Sequence, residues 1–309
     1  MFRSVHCLAG MLALATLAGC SAPTTSTSVH SVPDTALSDV VQLSDQLGDA
    51  QRDYISECMT AAGFPQLAAA QALTTGAAPA APRTPLAPDP LEAGPYTADQ
   101  ARAYGVQGTD AAFEEPQSGF VMSQDSGYDS ALSSCHDQLD AAGGPQAARL
   151  VGDTTRLISD MNEDFVQVFT RRMNPSIADR LSCVRDNGYP SLPVDPGIAI
   201  SDLLAAVQVP PGTETQNNAS ESEVPAGSVV VAPPPPPTRY TPSDAEIAFA
   251  LVYVTCGQTQ NFVAAWRRGQ VAPRRQITTK YQSTLNKVGP LLKQAVAETQ
   301  RYTSNGVPK

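Results

Sequence analysis

The sequence predicts an all-α fold: a disulfide-stapled helical domain built from two duplicated halves, with long Pro-rich loops expected to be disordered. Three observations predict it. The stretch Cys58-Met-Thr-Ala-Ala-Gly63-Phe64-Pro65 is echoed by Cys183-Val-Arg-Asp-Asn-Gly188-Tyr189-Pro190. Each copy reads as a last helical turn bearing a cysteine, then a Gly stop, an aromatic and a Pro. Each is followed at a similar distance by another cysteine, 135 − 58 = 77 and 256 − 183 = 73 residues on. Secondly, aromatic residues make up 6% of the chain and Ala is abundant, which favours closely packed helices over a sandwich of sheets. Thirdly, most of the 27 prolines fall in two low-complexity tracts, leaving enough chain for a core.

Residues 1–19 read as an export signal, with Arg3 ahead of the apolar run Leu8–Leu17, a run too short to span a bilayer. Leu17-Ala18-Gly19-Cys20 resembles the lipobox of bacterial lipoproteins, which implies diacylglycerol on the Cys20 thiol and two acyl chains for durable anchoring. Residues 20–33 form a Ser/Thr-rich tether that reaches about 20 Å as a coil.

The first half is expected over 34–144, with a disordered insert at 68–95. Its opening helix, Asp34–Ala62, shows Leu37, Val40, Leu47, Tyr54, Ile55, Cys58 and Met59 at a 3.6 period. A short helix capped by Thr97 and a helix Tyr128–Ala142 ending at Gly143-Gly144 follow. The second half is expected over 145–309, with a disordered insert at 209–238 that ends in Pro233–Pro237. It holds a helix Gln146–Met173 broken at Asn174-Pro175, its continuation to Asn187, a helix Ser243–Trp266 apolar nearly all round, and Ile277–Tyr302 with a kink at Pro290. Tyr96-Thr97 matches Tyr240-Thr241, which puts an insertion near residues 105–127 of the first half. Trimming Ala77–Pro90 is expected to cost little stability.

The net charge of −10 argues against nucleic acid as a partner. The charge is uneven: residues 260–309 hold nine Lys/Arg against Glu298 alone. Such a segment either packs on the protein's own acidic surface, stays solvated, or meets a membrane. Apart from Cys7 in the signal and Cys20, four cysteines remain, and an even number in an exported chain reads as two disulfides. Four cysteines allow three pairings, and composition leaves the choice open. The duplication favours Cys58 with Cys135 and Cys183 with Cys256, because a unit that inherited an internal staple gives that pattern.

Catalytic chemistry is sparsely represented. His136 adjoins Cys135, but neighbours on a helix point about 100° apart. Glu114-Glu115 diverge likewise. Glu57 and Glu246, close to motif cysteines, are the carboxylates that could serve an envelope hydrolase; capping or pairing with an Arg is their simpler role. No phosphate-binding Gly loop, Gly-x-Ser-x-Gly elbow or His-Glu-x-x-His occurs. No metal or other cofactor is expected.

Cys58-Met59…Gly63-Phe64, Tyr128…Ala131-Leu132…Cys135, Cys183…Gly188-Tyr189 and Glu246…Cys256 resemble a group of uncharacterised actinobacterial surface lipoproteins. The sequence departs from that pattern at Tyr253, where the group carries Asp, and at Val184, where it carries Met. The resemblance implies an envelope location and no particular activity. The expectation is a lipid-anchored, extracytoplasmic binding or adaptor protein on the outer face of the cell membrane. Its partners would be the membrane itself and an envelope protein or transporter complex.

Overall fold

Three long helices set the architecture of the computed structural model, which describes residues 33–75, 85–109, 117–215, 224–234 and 239–304. The lipobox, the tether up to residue 32, Glu114-Glu115 and the middle of each Pro-rich tract lie outside those residues. Helix α1 spans Pro33–Ala61, α4 Ser126–Asp186 and α7 Phe262–Ser304. Shorter elements are α2 (Gln66–Ala72), α3 (Ala98–Tyr104), α5 (Leu203–Ala206) and α6 (Asp244–Thr259). The described residues also form short strands: β1 Thr74–Thr75, β2 Gln117–Ser118, β3 Phe120–Ser123, β4 Thr213–Thr215, β5 Val229–Ala232 and β6 Arg239–Thr241. The fold is mostly helical, with two disulfides, as the sequence predicts.

The apolar stripes explain the bundle. Leu37, Val40 and Leu47 of α1 meet Leu285, Leu292 and Val296 of α7 and Met161, Phe165 and Phe169 of α4 in one buried cluster. Val40 lies against Gly289, and Met173 of α4 lies against Gly269. Asp164 of α4 bonds Lys280 of α7. Val40 and then Tyr54 of α1 lie by Gly289 and then Tyr302 of α7, whereas Met173 and then Asp164 of α4 lie by Gly269 and then Lys280, so α1 and α7 run parallel and α4 antiparallel to both.

α4 corrects the expected breaks. Neither Gly143-Gly144 nor Asn174-Pro175 ends it, and its 61 residues extend about 90 Å at 1.5 Å per residue. α7 likewise runs through Pro273 and Pro290. A proline in a helix interior costs about 3 kcal/mol, but burial of apolar side chains on both sides of it outweighs that local term. The expected helix Ser243–Trp266 is divided instead. α6 stops at Thr259, Asn261 takes φ +52°, and Phe262 begins α7. Asn tolerates the left-handed conformation that this elbow needs.

The two ends of the bundle are built alike. Gly63 and Gly188 stop their helices at φ +94° and +117°, where a side chain would be strained. The aromatic that follows then meets a ring seven residues before the second cysteine (135 − 128 = 7 and 256 − 249 = 7). Phe64 sits edge-on to Tyr128 at 5.4 Å, and Tyr189 edge-on to Phe249 at 4.8 Å. The disulfides are Cys58–Cys135 and Cys183–Cys256, with Cα separations of 5.8 and 5.7 Å.

Each end is completed by a segment from the other half of the chain. α3 and Val106 join the buried cluster of Leu181, Phe249 and Cys256. β5 comes from the Pro-rich tract and pairs antiparallel with β3, Phe120 opposite Ala232 and Ser123 opposite Val229, beside Cys58–Cys135. β1 pairs with β2, and β4 with β6, also antiparallel. The expected disorder over 68–95 and 209–238 is therefore corrected where those tracts are described. Leu86 is buried, and the Pro88 carbonyl accepts from Trp266 Nε1 at 2.8 Å and from Gln270 Nε2. Residues 85–90 cannot be trimmed cheaply. The Tyr-Thr match also fails as a structural equivalence, since Thr97 caps α3 whereas Thr241 lies in β6.

Candidate functional site

The end that carries Cys183–Cys256 holds two fully buried charged side chains, Glu246 and Arg180. Ser243 caps α6 by accepting from the Glu246 N–H, so Glu246 occupies the third helical position, where a carboxylate often folds back onto the cap. Here it reaches away instead. Oε1 accepts from the Val106 N–H at 2.8 Å and the Gln107 N–H at 3.0 Å. Oε2 accepts from the Gly212 N–H at 2.8 Å and from the Tyr240 hydroxyl. One carboxylate thus joins the turn after α3, the strand start at Gly212 and β6 to α6. Gly105, at φ +61°, leaves the room that the carboxylate fills. Burial, and then the bond to Glu246, push the Tyr240 phenol above its ordinary range.

Arg180 lies in the last turns of α4, three residues before Cys183. Its Nε donates to the Tyr253 carbonyl at 3.1 Å, Nη2 to Pro95 at 2.7 Å and Nη1 to Ala93 at 3.3 Å. The guanidinium carbon stands 3.5 Å from the centre of the Tyr253 ring and 4.5 Å from that of Phe262. The Tyr253 hydroxyl also donates to the Ala93 carbonyl. Gly257 packs flat against the guanidinium, where a Cβ would crowd its Nε and Cζ. Burial lowers the proton affinity of this arginine, and Tyr253 acts in the opposite direction. Among the described residues no carboxylate forms an ion pair with it.

Above Arg180, at the elbow between α6 and α7, the surface opens into a groove of about 540 Å³. Tyr96, Arg180, Gln258, Asn261, Arg267 and Arg268 line it with the first residues of α7. A second, mostly apolar cavity of about 180 Å³ lies between Ile177, Leu181, Ile198, Leu203 and Trp266.

The predicted carboxylates are not brought together. Glu57 is exposed on α1 at the Cys58–Cys135 end. Glu246 is buried at the other end, and the α4 cysteines that mark the two ends lie 183 − 135 = 48 residues apart, about 70 Å of helix. With four donors on its two oxygens, Glu246 works as a clamp between loops; neither a cap nor an Arg partner occupies it. His136 is exposed beside its disulfide. Among the described residues no group of three His, Cys, Asp or Glu is placed to hold a metal. Lys280, in the basic segment, does find the protein's own acid: its Nζ and the Tyr281 hydroxyl both bond Asp164 Oδ2.

Arg180 escaped sequence reasoning, although a signal exists. It lies on the same helical stripe as Ile177, Leu181 and Val184, so the 3.6 period alone places a charge on a buried face. Gly212 carries no such signal, since its role depends on the start of a Pro-rich tract folding back onto α6. Comparison of the chain with known protein families, with characterised proteins and with solved structures finds no match.

Proposed function

We propose that the chain is a lipid-anchored, extracytoplasmic binding or adaptor protein of the bacterial cell envelope, without catalytic activity. The observation that carries this reading is the order of features at the N-terminus: a basic residue, an apolar run, small residues and then Cys20. The two disulfides support it, because such bonds persist in oxidising compartments. No helix among the described residues is long and apolar enough to cross a membrane, and two acyl chains on Cys20 would supply the attachment.

Binding is favoured over hydrolysis by what the concave surface contains. The elbow groove presents arginines and amides, while Glu57 and Glu246 lie at opposite ends. The partner would be an envelope protein or a transporter complex. The test is fractionation of cells expressing the wild type and Cys20→Ala, followed by cross-linking and capture of the tagged wild type from native membranes. The reading expects Cys20→Ala to move to the soluble fraction and the wild type to retain a defined envelope partner. A Cys20→Ala chain held as firmly in the membrane as the wild type sinks the anchor.

A further inference from the structure

We infer that the groove at the α6–α7 elbow is a binding site for a phosphate group, free or esterified, held by Arg267 and Arg268 over the buried Arg180. This names the ligand class of the binding reading and rests on it; the anchor plays no part in the argument.

Three features converge. The first is charge. Arg180, Arg267 and Arg268 line the groove, and no Asp or Glu is among its lining residues, in a chain whose net charge is −10. Guanidinium forks match the oxygens of phosphate and bind them by paired, charge-assisted hydrogen bonds. The second is backbone. α7 begins at Phe262, and its first return bond runs from the Ala265 N–H to the Asn261 carbonyl. The N–H groups of Phe262, Val263 and Ala264 therefore precede the helical ladder, and these three residues line the groove.

The third is the buried cation. Arg180 is 1% exposed and has three carbonyls and two rings around it, but no carboxylate among the described residues. Carbonyl dipoles and ring faces offset only part of the cost of burying a full charge. An anion seated directly above would complete the compensation.

The duplication shows that this arrangement is not demanded by the packing of the motif. In the first copy the residue three before the helix-end cysteine is Ile55 rather than Arg180. Three before the second cysteine stands Leu132 rather than Tyr253, and one after it stands His136 rather than Gly257. The first copy closes its disulfide around an apolar contact, with Ile55 buried beside Tyr54 and Cys135. Arginine, its stacking Tyr and the Gly that makes room for it occur together at one end only, under the groove.

The test uses the full mature chain carrying Cys20→Ala, so that no acyl chain contributes to membrane binding. Inorganic phosphate is titrated while backbone amide resonances are followed, and flotation is measured with phosphatidylglycerol and with phosphatidylcholine vesicles. Phosphate should shift the amides of Phe262–Arg268, and the double variant Arg267→Gln/Arg268→Gln should weaken binding by about tenfold or more. Arg180 is left intact because the local fold depends on it. Lys287→Gln/Lys293→Gln, equal in charge and on the same helix, should leave binding unchanged.

Response to free phosphate without flotation assigns a soluble phosphate ester. Flotation selective for phosphatidylglycerol and abolished by the arginine variant assigns a lipid headgroup. No response to either probe overturns the site, and so does equal weakening by the lysine variant, which would mark diffuse charge attraction. Retention in cell membranes of a chain carrying Cys20→Ala together with Arg267→Gln/Arg268→Gln would defeat the anchor and leave these outcomes readable, so the two failures are distinguishable.

Discussion

Replacing Glu246 with Gln removes a charge and one acceptor while keeping the shape of the side chain. The amide has two ways to sit. With its NH2 toward Val106 and Gln107 it would face two backbone donors, so it turns the other way and keeps its carbonyl on those two N–H groups. Its NH2 then faces the Gly212 N–H and the Tyr240 hydroxyl. Gly212 still has the Tyr240 oxygen at 2.8 Å. The hydroxyl must now accept from two donors, and its own proton loses its acceptor. The variant thus gives up two charge-assisted bonds, from the Tyr240 hydroxyl and the Gly212 N–H, and weakens the two from Val106 and Gln107. At about 1.5–3 kcal/mol for a bond to a charged group, with partial retention of the rest, the expected loss is about 2–4 kcal/mol. For a domain of this size that lowers the melting temperature by roughly 5–15 °C. The assay is urea unfolding of the oxidised chain combined with amide hydrogen exchange at Val106, Gln107 and Gly212. Exchange should accelerate at these amides well before it does in the middle of α4. An E246Q chain as stable as the wild type, with those amides equally protected, would refute the clamp. Glu57→Gln, on an exposed helix face, is the control and should change stability by no more than about 0.5 kcal/mol.

Other expected outcomes follow from the same geometry. Leu86→Ala, in the tract that reads as dispensable, should cost about 2–4 kcal/mol in chemical denaturation, because the side chain is buried in the main cluster. Removing either disulfide releases a loop of 77 or 73 residues and should cost up to about 4.5 kcal/mol. The two losses should add, since the bonds sit at opposite ends of α4, and peptide mapping without reductant should recover Cys58 with Cys135 and Cys183 with Cys256. Hydrogen bonds from Lys280 and then Tyr281 hold the Asp164 carboxyl below its ordinary range. Its contribution to stability is complete above the unfolded value, about 4, and is lost as pH falls through the lower folded value. A carbon-detected titration of Asp164 should therefore show a midpoint below the ordinary carboxylate value, and Lys280→Met should raise it.

The sequence by itself determined the helical class, the register of α1 against the core and the two staples. These are local or repetitive facts. A 3.6 period places Leu37, Val40, Leu47, Tyr54 and Met59 on one side wherever the helix docks, and a duplicated Cys–Gly–aromatic motif carries its pairing with it. Ser243 and Thr97 were legible as caps because a cap depends on the three residues that follow it. What only the tertiary structure decided is every feature whose partner is distant in the chain. α4 passes through Gly143-Gly144 and Pro175 because α1 and α7 bury its apolar face, and no local propensity records that burial. Residues 85–109 and β5 cross to the end belonging to the other half, where the Ala93 and Pro95 carbonyls accept from Arg180, the Val106 and Gln107 N–H groups donate to Glu246, and β5 pairs with β3. Glu57 and Glu246 look alike beside their cysteines, yet folding leaves one in solvent and surrounds the other with donors drawn from residues 106, 107, 212 and 240. The elbow groove exists because Asn261 turns the chain sharply enough to start α7 over Arg180, and that juxtaposition is a property of packing rather than of any single segment.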